Sequence, residues 1–215
     1  MPTIIHIEFK RRRPERFLVY WDDGEQQLFS PEVAVKYGFA PGKDFSESEY
    51  DEVFREDSIL RAKDQILRYL GIRPHSRKEL FLKTMKKGYE PEHIEPALAD
   101  LERVDLINDV RFTRQFINNE LLLRPCGKNL LKEKLINKGV AGAIFEPILE
   151  EIMAEQPQEE IIKSLAQKFL KKNRRLAPEK QQEKLIRHLQ SKGFNWELIN
   201  WVLYDARIID SMGDL

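Results

Sequence analysis

Apolar residues recur along this chain with two different periods. Residues 3–10 (TIIHIEFK) alternate apolar and polar, residues 16–21 (RFLVYW) are rich in β-formers, and Asp22-Asp23-Gly24 supplies a turn before EQQLF. This pattern predicts a β-hairpin or small sheet. From residue 31 onward the period is helical. Ser30 followed by Pro31 fits an N-cap with proline in the first turn, and Gly38 fits a stop, which predicts a short helix over 31–37. Ala40-Pro41-Gly42-Lys43 interrupts regular structure. Ser46 with Glu49 forms a capping-box pattern, and the helix it opens is expected to run toward Asp57-Ser58, where a second cap would begin a new one.

Beyond residue 57 the helical pattern repeats. A Lys-Gly step occurs at Lys87-Gly88, Lys138-Gly139 and Lys192-Gly193, with successive glycines 51 and 54 residues apart. Apolar residues stand at fixed offsets from each glycine. Eight before it are Leu80, Leu131 and Leu185; six after, Ile94, Phe145 and Ile199; ten after, Leu98, Leu149 and Leu203; thirteen after, Leu101, Ile152 and Ala206. Arg73-Pro74 and Arg124-Pro125 also occupy matching places in the first two copies. A period near fifty residues with about three helical segments per unit reads as tandem three-helix modules that share faces with their neighbours.

In the first module Ile59, Ala62, Ile66, Leu67 and Leu70 make a stripe ended by Gly71 and Pro74. Ser76 and Glu79 form a second capping box for a helix through Met85, and Pro91 opens a third helix with stripe Ile94, Leu98 and Leu101. The second module repeats this with Phe112, Phe116 and Ile117, then Leu131 and Leu135, then Phe145, Leu149 and Ile152. The third starts near Gln158, carries Ile161, Ile162, Leu165 and Phe169, and has Lys171-Lys172-Asn173-Arg174-Arg175 inserted between its first two helices. The expected organisation is a strand and short-helix segment over 1–45, a connecting helix over 46–56, repeats over 57–109, 110–156 and 157–210, and a tail over 211–215. The fold class is mainly α, an elongated array of three three-helix repeats with a small N-terminal β segment.

Charge adds a second periodicity. The chain is formally neutral, with 36 Lys and Arg against 36 Asp and Glu. Cut at the repeat landmarks, it alternates. Residues 61–88 hold nine cations and two anions, 89–109 one and seven, 110–139 seven and two, 140–160 none and six, and 161–193 ten and two. The first two helices of each module are basic and the third acidic. Two readings follow: alternating charges lace neighbouring helices together, or the body carries opposed basic and acidic faces suited to a charged polymer or filament.

Composition excludes several classes of chemistry. One cysteine, Cys126, allows no internal disulfide, and His6, His75, His93 and His188 are scattered, so no zinc site and no cofactor are expected. There is no glycine-rich phosphate loop and no Ser/His/Asp context, and the carboxylates cluster as charge stripes, so the chain does not read as an enzyme. Cys126 has no paired histidine and reads as a small apolar residue. No apolar run approaches the roughly 20 residues of a membrane span, and Met1-Pro2 leads into a charged strand, so a cytoplasmic location is expected. Trp196 and Trp201, at helical spacing with Ile199 and Leu203, are expected in a core. Arg11, Arg12 and Arg13 lie between two strands, as a solvated turn or a tip touching nucleic-acid backbone.

The strings LRYLGIRPHSRKEL (Leu67 to Leu80), KKGYEPEHIEPALADLERVDLINDVRF (Lys86 to Phe112), GKNLLKEKLINKGV (Gly127 to Val140) and KLIRHLQSKGFNWELINWVL (Lys184 to Leu203) resemble the RecX family. These are regulatory proteins that bind the bacterial recombinase RecA, and the segment through Gly42 is similar to the strand-containing extension of some members. The first module departs from the pattern at His75, where many relatives carry a second arginine. The resemblance implies three tandem three-helix repeats and binding to the RecA–DNA filament with inhibition of ATP hydrolysis and strand exchange. It also implies a role in recombination and the SOS response. The basic first and second helices are the candidate contact: Arg73, Lys83, Lys86 and Lys87; Arg124, Lys128, Lys132 and Lys134; Lys171, Lys172, Arg174 and Arg175. A monomer is expected. The alternative is a helical repeat protein that binds single-stranded or duplex DNA directly, without sequence preference.

Overall fold

The computed structural model describes residues 1–11 and 14–204. Arg12 and Arg13, Ala206, the expected end of the third repeat at 210 and the tail over 211–215 lie outside the described residues. The chain divides into two compact units, Met1–Ile107 and Asn108–Leu215.

The first unit opens with β1 (Ile4–Lys10), β2 (Arg16–Trp21) and β3 (Gln26–Phe29), a three-stranded antiparallel sheet in that order. Trp21 is 1% exposed and anchors its core. Five aromatic rings surround it, from Phe29, Phe39, Phe45, Tyr50 and Phe54, at centroid distances between 4.9 and 6.5 Å and mostly edge to face, the geometry favoured by aromatic quadrupoles. Tyr50 and Phe54 belong to the second helix, α2 (Glu47–Leu70), so the sheet packs directly on that helix. Helix α1 (Pro31–Lys36) starts at Ser30 as expected, but the Ser30 hydroxyl makes no capping bond. Instead the Ser30 N–H donates to the buried Asp57 carboxylate at 2.6 Å.

That bond explains the main departure from expectation. The predicted break at Asp57-Ser58 does not form. Helix α2 runs unbroken for 24 residues, with the Ser46/Glu49 capping box at its start. The stretch contains neither Gly nor Pro, and Asp57 spends its carboxylate on the start of α1 rather than capping its own chain. The connecting helix and the first repeat helix are one element. Leu67 also leaves the expected stripe and is 39% exposed, while Ala62 and Ile66 are fully buried. Helices α3 (Arg77–Met85) and α4 (Pro91–Arg103) complete the repeat, α3 with the Ser76/Glu79 capping box. Leu80, Ile94, Leu98 and Leu101 close its core against α2.

The second unit holds two repeats, α5 (Asp109–Leu123), α6 (Lys128–Asn137) and α7 (Gly142–Ala154), then α8 (Gln158–Lys172), α9 (Pro178–Ser191) and α10 (Trp196–Tyr204). The aligned columns of the sequence are the cores: Leu131, Phe145, Leu149 and Ile152 in one repeat, Leu185, Ile199 and Leu203 in the next. Gly88, Gly139 and Gly193 have φ of +89°, +74° and +80°, the left-handed geometry that ends a helix. The third repeat is less irregular than its basic run suggests. Lys171 and Lys172 are the last turn of α8 rather than loop, and Asn173 ends the helix. Gln181, buried at the place equivalent to the capping Ser76, donates from Nε2 to the Asn173 and Leu170 carbonyls at 3.1 and 3.4 Å. It thereby adds a second hydrogen bond to carbonyls at the end of α8 that already accept from the Asn173 and Leu176 N–H groups.

The two repeats of this unit meet backbone to backbone. Helix α6 has no side-chain cap, because Gly127 stands where Ser76 stands in the first repeat. Its amino end is satisfied by the carboxyl end of α9: Gly127 N–H donates to Lys192 O at 2.8 Å and Asn129 N–H to Gly193 O at 3.1 Å. A Cβ on Gly127 would lie 2.6 Å from the Phe194 nitrogen, and one on Gly193 would lie 2.8 Å from Leu130 Cα. Among the described residues no helix is long and apolar enough to cross a membrane.

Candidate partner-binding surface

The basic helices arise because each presents one apolar stripe to its repeat core and fills the rest of its circumference with Lys and Arg. What those cations can do depends on what they face. In the first two repeats several face the acidic third helix. Lys63 pairs with Asp100 at 3.1 Å, Arg77 with Glu95 at 2.5 Å and Glu102 at 3.0 Å, and Arg114 with Glu151 at 2.8 Å. Hydrogen bonds from Lys63, Lys132 and Arg114 hold the Asp100, Glu146 and Glu151 carboxyls below their ordinary pKa, and Glu95 holds Arg77 above its own. In these repeats the charge alternation laces helices together.

The twelve candidate cations therefore separate into two groups. Lys128 pairs with Glu150, Lys132 with Glu146 at 2.8 Å, and Lys134 with Glu120 on α5. Arg73 is held by Glu79 at 3.1 Å and the Pro74 carbonyl at 2.7 Å. Lys83 lies 2.7 Å from His75 Nε2 and above the Tyr69 ring, 5.2 Å from its centroid. These five are engaged within the protein. Lys86, Lys87, Arg124, Lys171, Lys172, Arg174 and Arg175 are exposed and have no ion-pair partner among the described residues. Four of the seven sit in the third repeat, where α10 offers only Glu197 in place of an acidic helix.

The third repeat also holds cations that residue-by-residue reading passed over. Lys163, Lys168, Lys180 and Lys184 on α8 and α9 are exposed and likewise unpaired among the described residues. The ten-to-two charge run over 161–193 marks them as a segment, and what distinguishes them from the paired lysines of the second repeat is that no carboxylate among the described residues pairs with them.

Other candidates resolve individually. His75 is buried at 3% exposure, with Nδ1 bonded to the Arg73 carbonyl at 2.8 Å. With Lys83 donating to Nε2, the ring is the neutral Nδ1–H tautomer, and burial pushes its pKa down. Position 75 orients the Arg73 loop instead of offering a charge. Burial pushes the Cys126 thiol up, away from thiolate chemistry. Trp196 departs from the core expectation at 56% exposure, because as the first residue of α10 it has no preceding turn against which to pack; Trp201 is half-buried against the third core. A cleft of about 950 Å³ opens between the second and third repeats, but the Lys128–Glu150 and Lys132–Glu146 pairs occupy its wall beside Glu159 and Glu160. Among the described residues no group of His, Cys, Asp and Glu could hold a metal ion.

Residues 62–101 match the family profile of the first three-helix domain of RecX, and residues 157–203 that of the third. The chain is 29% identical over 204 residues to a regulatory protein RecX of Clostridium perfringens, covering 94% of this chain and 95% of that one. It is 25% identical over 203 residues to one from Listeria innocua, covering 94% and 75%. A crystal structure of regulatory protein RecX superposes with a TM-score of 0.73 at 21% identity, covering 94% of this chain and 98% of the other. RecX from Lactobacillus salivarius superposes with a TM-score of 0.61 at 23% identity, covering 70% and 97%. Those two structures share the fold of this chain.

Proposed function

Because the chain belongs to the RecX family, we propose that it is a negative regulator of RecA that binds the RecA–DNA filament. In this reading it inhibits the filament's ATPase and strand exchange and so modulates recombination and the SOS response. The observation that carries the reading is the positive charge on α8 and the turn after it in the third repeat, with which no carboxylate among the described residues pairs. Lys171, Lys172, Arg174 and Arg175 have no acidic partner among the described residues, whereas equivalent helices in the other repeats spend most of theirs internally. A cation not used by the fold is available to the phosphates and carboxylates of a DNA-loaded filament. Lys86, Lys87 and Arg124 extend the same surface chemistry into the other repeats, and Lys128, Lys132 and Lys134 contribute chiefly to stability.

The test is a titration of the chain against RecA ATPase on single-stranded DNA. Reversing Lys171, Lys172, Arg174 and Arg175 to Glu is expected to raise the half-inhibitory concentration at least about tenfold, a loss of about 1.4 kcal/mol, with an unchanged melting curve. Lys132→Gln is expected to leave inhibition near its starting value. Unaltered inhibition by the folded fourfold variant removes the third repeat from the contact, and a wild-type chain that leaves the ATPase untouched refutes the reading. Affinity for bare DNA equal to that for the coated filament would favour direct DNA binding instead.

A further inference from the structure

The N-terminal sheet builds one side of a second cationic feature, located in the first unit. A cavity of about 330 Å³ lies between β2 and β3 on one side and α2 on the other, and its walls include Arg16, Leu28, Arg61, Gln65, Arg68 and Tyr89. Asp64 is the only carboxylate in that lining, against three guanidiniums. It is already committed to Arg16 at 2.9 Å. Arg61 approaches the Asp57 carboxylate only to 3.9 Å, and that carboxylate also accepts the Ser30 N–H. Arg68 is exposed and has no ion-pair partner among the described residues. Arg68 is therefore not consumed by the fold, and Arg61, 42% exposed at its side chain, is held only by the long pair with Asp57.

Their placement is directional. Arg61, Gln65 and Arg68 follow one another at steps of four and three, which puts them on one face of α2. The seven-residue separation places the two arginine stems about 10 Å apart along the axis. Leu28 of β3, 43% exposed, and the half-buried Tyr89 complete the lining. A groove lined by cations together with an aromatic and an aliphatic side chain suits a ligand that carries both anionic groups and flat apolar groups. Single-stranded nucleic acid has that arrangement: phosphates for the guanidiniums, bases for the ring. A purely anionic peptide would satisfy the arginines but leave Leu28 and Tyr89 facing water.

We propose that this arginine-lined groove binds a segment of single-stranded nucleic acid. None of its cations belongs to the proposed filament contact, so the two can fail independently. The probe is a short fluorescein-labelled oligothymidylate, titrated with the full-length chain by anisotropy across a salt series. Arg61→Gln with Arg68→Gln is expected to weaken binding at least about tenfold at low salt. The slope of log affinity against log salt should become shallower by about 1.4, at about 0.7 for each phosphate that the variant no longer neutralises on a single strand. Arg68→Glu alone changes an exposed side chain and should reproduce the effect in part without touching the fold. Unchanged affinity and slope in the folded double variant overturn the proposal. So does polyglutamate competing as well as unlabelled oligothymidylate, which would make the occupant an acidic protein segment. A wild-type chain that inhibits RecA but does not bind the oligonucleotide overturns the groove and leaves the regulator reading standing.

Discussion

The joint between the second and third repeats can be dissected with alanine substitutions at Gly127 and Gly193, with Gly88 in the first repeat as the reference for backbone strain alone. Gly88 has φ +89° and open space within 4 Å of the place a Cβ would take, so Gly88→Ala costs only left-handed strain, about 1–2 kcal/mol. Gly127 has φ −80° and ψ 166°, open to any residue, so Gly127→Ala costs only the close approach. Its new methyl would lie 2.6 Å from the Phe194 nitrogen, among backbone atoms that cannot rotate away. Either the core is overpacked, at about 1–3 kcal/mol, or the joint opens and loses two hydrogen bonds, those of 2.8 and 3.1 Å, at about 0.5–1.5 kcal/mol each. Both routes give about 1–3 kcal/mol. Gly193→Ala combines strain with approach, so about 2–5 kcal/mol is expected from the same two sources. Urea unfolding of the full-length variants, followed by circular dichroism, measures all three. The double variant Gly127→Ala/Gly193→Ala should fall well short of additive, since a joint opened by one methyl is indifferent to the other. Stability of Gly127→Ala indistinguishable from wild type would refute the reasoning, as would full additivity.

Two further outcomes follow from buried groups. The folded-state pKa of His75 lies below its ordinary 6.5 because burial disfavours the charged ring beside Lys83 and Arg73, with Glu79 opposing. Between the folded and unfolded values the unfolded chain holds the extra proton, so stability should decline as pH falls through the window below 6.5. His75→Gln should flatten that slope in thermal melts, leaving the share of His188, lowered for the same reason against Phe169; an equally steep slope would show that His75 does not titrate on unfolding. Trp21→Ala, at 1% exposure within five aromatic rings, should cost about 3–5 kcal/mol, read as a shift in urea midpoint, and a loss below about 1 kcal/mol would contradict that packing.

Local signals carried the fold a long way. Ser46 and Ser76 with glutamates three residues on, and the three glycines in left-handed geometry, mark element ends through chemistry that acts within one turn. Reading failed where the partner is distant in sequence. Asp57-Ser58 has the composition of a cap, yet the Asp57 carboxylate is claimed by Ser30 in another element. Lys132 and Lys171 are equivalent as letters, and only the presence of Glu146 across the repeat makes one a structural cation. Gly127 carries no signal of its own, because what requires it is the approach of Gly193. Arg61 and Arg68 do not stand out in the sequence, because the groove they line also takes Arg16 and Leu28 from strands distant along the chain.

The unbroken α2 changes how the protein can be taken apart. Removing residues 1–45 looks like trimming an appendage from an array, yet the cut would strip the cover from Val53, Tyr50 and Phe54 on a helix whose other half belongs to the first repeat. Such a fragment would present a sticky aromatic strip, and its loss of activity would say nothing about what the sheet contributes. Subcloning should respect the helix as indivisible, with Met1–Ile107 as the smallest sensible piece on that side, and the sheet is better interrogated by point changes on its outer residues.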